Sequence, residues 1–309
     1  MSERIDVLVA GEYYCDMIFS GLDAPPSLGG EAFARGLSVR PGGCYNMALG
    51  LTRLDVRTAW ACDFGTDMFS RLVLEAAAGD GLDPAGFRHV GHSLQRVSAA
   101  FSGRGERGFI TYREAALRAP DREVVTRLRP KWLLQTFRPE PEWLSFVRDA
   151  KSAGVRIFGD CNGEGADLAT PGVREFIGLC DVFSPNEAEA MTLTGTVGTE
   201  DALARLAGLA PTIVIKRGAH GAIAIANGQR HEQPALPVET VDTVGAGDAF
   251  AAGFLAAAVG GAPLDGQLLS AVACGSLSTA GAGNSANPSA GQLRAFMARL
   301  HPTPSHASA

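Results

Sequence analysis

A chain of 309 residues with 46% apolar and 19% charged residues has the composition of an ordinary globular protein, which excludes a disordered or fibrous class. Its formal net charge of -6, with Lys and Arg scattered along the chain, offers no basic stripe for a nucleic-acid backbone, and no apolar run approaches the roughly 20 residues of a membrane span. The opening MSERIDVLVAGEYYCDM enters a strand-like run without a signal-peptide pattern, so the expectation is a cytoplasmic protein with no nucleic-acid or membrane partner.

Read from the N-terminus, short apolar or β-branched runs recur at 5–10 (IDVLVA), 56–61, 132–137, 155–160, 181–184 and 212–218, most of them separated by helix-like segments. This alternation predicts βαβ units in a three-layer α/β/α domain over 1–301, around a central and mostly parallel sheet. Two stretches break the alternation. Segments 12–40, with a Pro/Gly turn at APPSLGG, and 96–113, with a Gly-rich turn at GRGE, read as inserted strand pairs. They predict a small β-sheet beside the main domain, placed to act as a lid. The polar residues 302–309 are expected to fray. Six cysteines, at 15, 44, 62, 161, 180 and 274, form no C-x-x-C pair and the six histidines are dispersed, so no metal centre is predicted from them.

The chemistry concentrates in VETVDTVGAGDAFAAGFLAAAVG, 238–260. Its glycine-rich middle feeds an Ala/Phe/Leu helix, so Gly245, Ala246 and Gly247 can present backbone amides at a helix N-terminus, where the dipole favours an anion. Asp248 in that first turn can simply complement the dipole. It can also take a proton from an attacking hydroxyl, and with Asp242 it makes two carboxylates flanking a Gly-rich loop, which fits phosphoryl transfer better than capping alone. The loop lacks the third glycine of a dinucleotide fingerprint and the G-K-[ST] of a Walker A loop.

DTVGAGDAFAAGF resembles the C-terminal signature of the ribokinase-like (PfkB) carbohydrate kinases. PGGCYNMALGLTRLDV at 41–56 resembles the first signature of that family, FGTDMFS at 64–70 its acidic turn, and SPNEAEAMTLTG at 184–195 its N-x-x-E segment. The resemblance runs from about residue 5 to 300 and implies a ribokinase-like fold with a β-sheet lid and an ATP-dependent kinase acting on a hydroxyl of a small sugar. It implies Asp248 as general base, with the amides of Gly245, Ala246 and Gly247 neutralising the transferring phosphoryl group. Asp16, Gly42, Gly43 and Asn46 would hold the sugar hydroxyls. Asn186 and Glu189 would organise Mg²⁺ and the nucleotide phosphates, although the same spacing fits a plain helix cap. Lys216, Gly218 and Gly221 would border ATP. A K⁺ site is expected at the Asp242 carboxylate and the Val244 carbonyl, and a homodimer through the lid edge.

The chain departs from the pattern at Asp160-Cys161-Asn162-Gly163-Glu164, where relatives often carry Asp-x-Asn-x-Arg; the missing Arg weighs against a phosphorylated acceptor and for an uncharged monosaccharide. A nucleoside kinase of the same family is the alternative, with Tyr13, Tyr14, Phe19, Phe109 and Tyr112 as candidate base platforms. A non-catalytic sugar-binding relative is the lesser one; it should have lost Asp248, the anion loop or the N-x-x-E pair, and this chain keeps all of them.

Overall fold

The structure is a computed structural model and describes residues 4–103, 106–114, 118–161, 165–281 and 287–300. The positions Asn162, Gly163 and Glu164 singled out above, and the tail at 302–309, lie outside the described residues. In chain order the strands are β1 (Val7–Ala10), β2 (Tyr13–Ser20), β3 (Gly36–Gly43), β4 (Thr58–Phe64), β5 (Phe87–His89), β6 (Arg96–Gly103), β7 (Glu106–Arg113), β8 (Trp132–Thr136), β9 (Arg156–Asp160), β10 (Val182–Ser184), β11 (Thr212–Lys216), β12 (Ala222–Ala226) and β13 (Gln229–Gln233). The helices are α1 (Cys44–Arg53), α2 (Met68–Gly79), α3 (Glu123–Leu128), α4 (Pro141–Ser152), α5 (Val173–Leu179), α6 (Glu187–Thr194), α7 (Thr199–Leu206), α8 (Ala246–Val259), α9 (Leu264–Ser278) and α10 (Ala290–Leu300).

Nine strands make one sheet in the order β13-β12-β11-β10-β9-β8-β1-β4-β5, parallel from β11 to β5 and antiparallel at β12 and β13. β1 shows why its sequence is apolar throughout. Val7 and Val9 pack into a core with α1, α2, α8 and α9, while Leu8 and Ala10 pack into a second core with α4 to α7. Both faces of a period-2 strand are therefore covered, and the three-layer α/β/α expectation holds.

The inserted segments form a four-stranded sheet in the order β3-β2-β6-β7. Cross-strand register sorts its two faces. Asp16, Arg40, Ser98 and Thr111 lie opposite one another in a polar row, and the next row, Met17, Val39, Ala99 and Ile110, is apolar. Residues 31–35 were expected in a strand but precede it; β3 begins at Gly36 and runs through Pro41 to Gly43. Pro41 has no N–H to give, which an edge strand tolerates.

The antiparallel pair β12–β13 was not anticipated. Its turn carries Asn227 and Gly228 at φ 50° and 74°, the left-handed pair that a two-residue hairpin needs, and Asn-Gly between two short runs was the available signal. Helices α8 and α9 pack closely because Gly253 removes a side chain: a β-carbon there would meet the Ser270 carbonyl oxygen at 2.7 Å. Gly50 plays the same part between α1 and α8, where an added β-carbon would lie 3.0 Å from that of Ala252. These contacts set how two site-bearing helices meet.

Candidate active site

The C-terminal ends of parallel strands gather the polar residues, as expected where an open α/β sheet forms its crevice. β9 ends at Asp160 and β11 at Lys216, whose ammonium meets the Asp160 carboxylate at 2.6 Å in a nearly buried pair. Just beyond β10, Asn186 starts α6. There the helix-cap reading is realised: the Asn186 side chain accepts from the Glu189 N–H at 2.9 Å, and the Asn186 N–H donates to Glu189 Oε2 at 2.7 Å. Asn186, Glu189, Lys216, Gly218, Gly221 and Gly247 all line one cavity of about 860 Å³, large enough for a nucleotide. Gly221, at φ 82°, can carry no side chain, because a β-carbon would overlap the Gln233 carbonyl of β13.

On the facing side, the Asp242 carboxylate accepts the Val244 N–H at 2.9 Å and closes a turn. Gly245 follows at φ 79°, a left-handed conformation that favours glycine, and directs the chain into α8. Among the three amides expected to form the anion hole, that of Ala246 points back to the Thr243 carbonyl at 3.3 Å, a weak bond. Gly247 sits at the second helical position, where an α-helix leaves N–H groups without an internal acceptor. It faces Lys216: a β-carbon on Gly247 would be 3.6 Å from the lysine Nζ.

Asp248 occupies the third position of α8. Its Oδ2 accepts the Asn46 amide at 3.0 Å, joining α8 to the first turns of α1. Burial, then the charge of Asp160 and lastly that of Asp16, push its carboxyl up to about 7, against the pull of Asn46 and Lys216. Asp16, on the polar row of the lid, is raised to about 6 by burial. Both carboxyls therefore titrate close to neutrality, where a proton acceptor is most effective.

The glycines at 42 and 43, expected to help hold the sugar hydroxyls, are also fixed by packing within the chain. A β-carbon at Gly42 would overlap the Asp16 carboxylate itself, so Gly42 makes room for that carboxylate. Gly43, at φ 64°, ends β3 and caps α1, and a β-carbon there would lie 2.8 Å from the Glu12 carbonyl oxygen. Both residues position Asp16 and Asn46.

Two features escaped the sequence reading. Asp160 was noted only as part of an altered motif, yet it holds Lys216. Glu12, immediately after β1, forms a buried ion pair with Arg138 beyond β8. Only the parallel β1–β8 register brings these two together. All six cysteines are buried and free, and among the described residues no group of three or more metal-ligating side chains occurs.

The pfkB family carbohydrate kinase model matches residues 29–290. An ATP-dependent ribose-1-phosphate kinase of Halopiger xanaduensis is 27% identical over 307 residues, covering 95% of this chain and 98% of that protein. A cytidine kinase of Thermococcus kodakarensis is 42% identical over 97 residues, 30% of this chain, and the match spans 34% of that protein. The structure of an Arabidopsis thaliana ribokinase complexed with ribose and ATP superposes with a TM-score of 0.84 at 24% identity, covering 96% of this chain and 99% of that one, a likeness of fold. With the Gly-rich turn before α8, the N-x-x-E cap and the lid all inside or beside the matched span, the chain belongs to the pfkB family of carbohydrate kinases.

Proposed function

We propose that this protein, as one domain over 1–301, transfers the γ-phosphoryl group of ATP to a hydroxyl of a small uncharged sugar. One observation carries the reading. Asp248, raised to about 7 by burial and by the charges of Asp160 and the lid carboxylate Asp16, stands in the first turn of α8, next in sequence to Gly247, which lines the cavity with Lys216.

Asp16 accepts hydrogen bonds from sugar hydroxyls, Asn46 orients the Asp248 carboxylate, and Asp248 takes the proton of the attacking hydroxyl. The amide of Gly247 and the ammonium of Lys216 then meet the charge on the transferring group. Mg²⁺ carried with the nucleotide would supply further charge neutralisation. Asp160 and Glu189 are the carboxylates lining that cavity, and so sparse a donor set suits a largely hydrated Mg²⁺ held by phosphates. Asp242 and the Val244 carbonyl are the proposed K⁺ ligands, and a second copy covers the lid.

Support for an uncharged acceptor comes from Asp16, a carboxylate that suits hydroxyl donors and would repel a phosphate. A nucleoside acceptor is the second reading, favoured by the 42% identity to a cytidine kinase over 97 residues. The deciding experiment is ATP consumption under identical Mg-ATP across ribose, fructose, 2-keto-3-deoxygluconate, a sugar phosphate, adenosine and cytidine. The sugar reading is abandoned if a nucleoside or the sugar phosphate exceeds every free sugar tenfold in kcat/KM, about 1.4 kcal/mol of transition-state binding.

A further inference from the structure

The two central strands of the lid leave the main domain side by side, β2 at Tyr13 and β6 at Arg96, in the parallel register that pairs Cys15 with Val97. A buried polar network joins these strand roots to α2. Tyr13 and Ser70 are both fully buried, and their hydroxyls lie 2.6 Å apart. Ser70 donates to Asp67 Oδ2 at 2.8 Å and accepts the Gly65 N–H at 2.8 Å, so in this pair Tyr13 is the donor. The Tyr13 hydroxyl is also 3.3 Å from the Leu94 carbonyl. Asp67 caps α2 by accepting the Phe69 and Ser70 N–H groups at 3.0 and 2.9 Å, and it accepts the N–H of Leu94, two residues before β6, at 2.9 Å.

Ring contacts close the same point. Tyr13 stacks on Phe64 with centroids 5.3 Å apart, and Arg96, itself buried, lies 5.2 Å over the Tyr13 ring and donates to the Asp63 carbonyl. Tyr13, a candidate base platform by sequence, is therefore a core residue. Burial pushes its phenol up to about 12. Burial works the other way on the charge of Asp67, but the Ser70 and Leu94 N–H groups and the Ser70 hydroxyl outweigh it and hold that carboxyl below its usual range. Around neutrality one end of the network is thus a neutral donor and the other an ionised acceptor, which fixes its direction from Tyr13 through Ser70 to Asp67.

We infer that Tyr13, Ser70 and Asp67 are positioning residues for the acceptor: they pin the roots of β2 and β6 to α2 and so fix where the lid holds Asp16. Asp16 follows Tyr13 by three residues on β2, and Ser98, its neighbour in the polar row, follows Arg96 by two on β6. A tilt at the roots reaches both, because the two strands are paired from Cys15 to Phe19. None of the three residues lines the nucleotide cavity, so the effect falls on the acceptor and spares ATP. The role of Asp16 rests on the kinase reading; the pinning of the lid does not.

Tyr13→Phe is the least disturbing test, since the ring keeps its packing and Ser70 keeps Asp67 and Gly65 as partners. Hydrogen–deuterium exchange of the full chain, read without turnover, should show the amides of β2 and β6 exchanging about threefold or more faster in the variant, with α8 and α9 unchanged. Steady-state kinetics then use whichever of ribose, fructose, 2-keto-3-deoxygluconate, adenosine or cytidine turns over. The acceptor KM should rise about three- to tenfold, with kcat and the KM for ATP within about twofold of the parent. Ser70→Ala should act in the same direction, and adding Tyr13→Phe to it should cost little more, because both changes break one link. Unchanged exchange in β2 and β6, or exchange that rises equally in α8 and α9, overturns the pinning. Faster lid exchange with an unmoved acceptor KM, or equal shifts in both KM values, overturns the positioning role. If no acceptor turns over, the kinase reading falls while the exchange result still decides whether the lid is pinned.

Discussion

The Asn46 amide donates to Asp248 Oδ2 at 3.0 Å across 202 residues of sequence, the side-chain contact that ties α1 to α8 in the active site. Hydrogen bonding to the ionised form favours it, so Asn46 offsets part of the burial that raises Asp248 to about 7. As a base, Asp248 works only when deprotonated. Activity should therefore rise with pH through about 7, and Asn46→Ala should move that limb to higher pH. The pH dependence of kcat/KM for both proteins checks this; an unmoved limb would show that Asn46 serves the substrate alone.

Asp248→Asn should cost about 10²–10⁴-fold in turnover with ATP binding nearly unchanged, because the amide keeps the shape of the first turn and cannot accept the proton. The variant should also be more stable than the parent at alkaline pH. The folded carboxyl is raised from 3.8 to about 7, so the folded state holds a proton that the unfolded chain has lost, and stability falls as pH rises across that window. Above it the parent bears the full cost of a buried charge, which the amide lacks. A loss of turnover below tenfold would falsify the base assignment. Thermal melts at pH 5 and pH 9 test the linkage.

The Gly-rich turn and the placement of Asp248 in the first turn of α8 were legible because they are contiguous: a Gly-rich stretch running into an Ala/Phe helix states its own geometry. The sheet was legible from apolar runs such as Val7–Ala10, whose two covered faces leave no polar position. The Asp160–Lys216 pair, 56 residues apart, was not, since nothing local in either strand specifies that β10 alone separates them in the sheet. Gly42 illustrates a subtler gap. Its place in a motif marks it as important, yet only the register of β2 against β3 shows that it clears space for Asp16.

A K⁺ requirement is the next expectation. The Asp242–Val244 turn fixes the approach to Gly245, so a monovalent cation held by the Asp242 carboxylate and the Val244 carbonyl would order the loop without touching the acceptor. Turnover should be faster in potassium than in a bulky organic cation at matched ionic strength, and Asp242→Asn should narrow the difference. Equal rates in both salts would remove the site.

The lid should associate with a second copy. Leu37 and Val39 on β3 and Ile110 on β7 are 61%, 42% and 68% exposed, and the register places Val39 and Ile110 in one apolar row. Edge strands and apolar faces of this kind are normally covered. Sedimentation should give a dimer at micromolar concentration, dissociated by Val39→Lys/Ile110→Lys; a parent that stays monomeric would sink the prediction.

Lys216 can be separated from its structural partner by a pair of variants. Burial works against its ammonium, but the charges of Asp160 and Glu189 outweigh that and raise its pKa, so it is cationic throughout the working range. Lys216→Met alone leaves the Asp160 carboxylate buried without a counter-charge, a loss of about 3–5 kcal/mol for a buried pair. A drop in both melting temperature and activity would thus be ambiguous. Asp160→Asn/Lys216→Met removes both charges and should recover most of the stability, since replacing a buried ion pair by neutral groups is often close to neutral. If Lys216 meets the phosphates, the double variant will remain impaired, with a raised KM for ATP and a lowered kcat. It should also show a lower pKa on the acid limb, because Asp160 raises Asp248 more strongly than Lys216 lowers it. Recovery of activity together with stability would assign Lys216 to the scaffold instead.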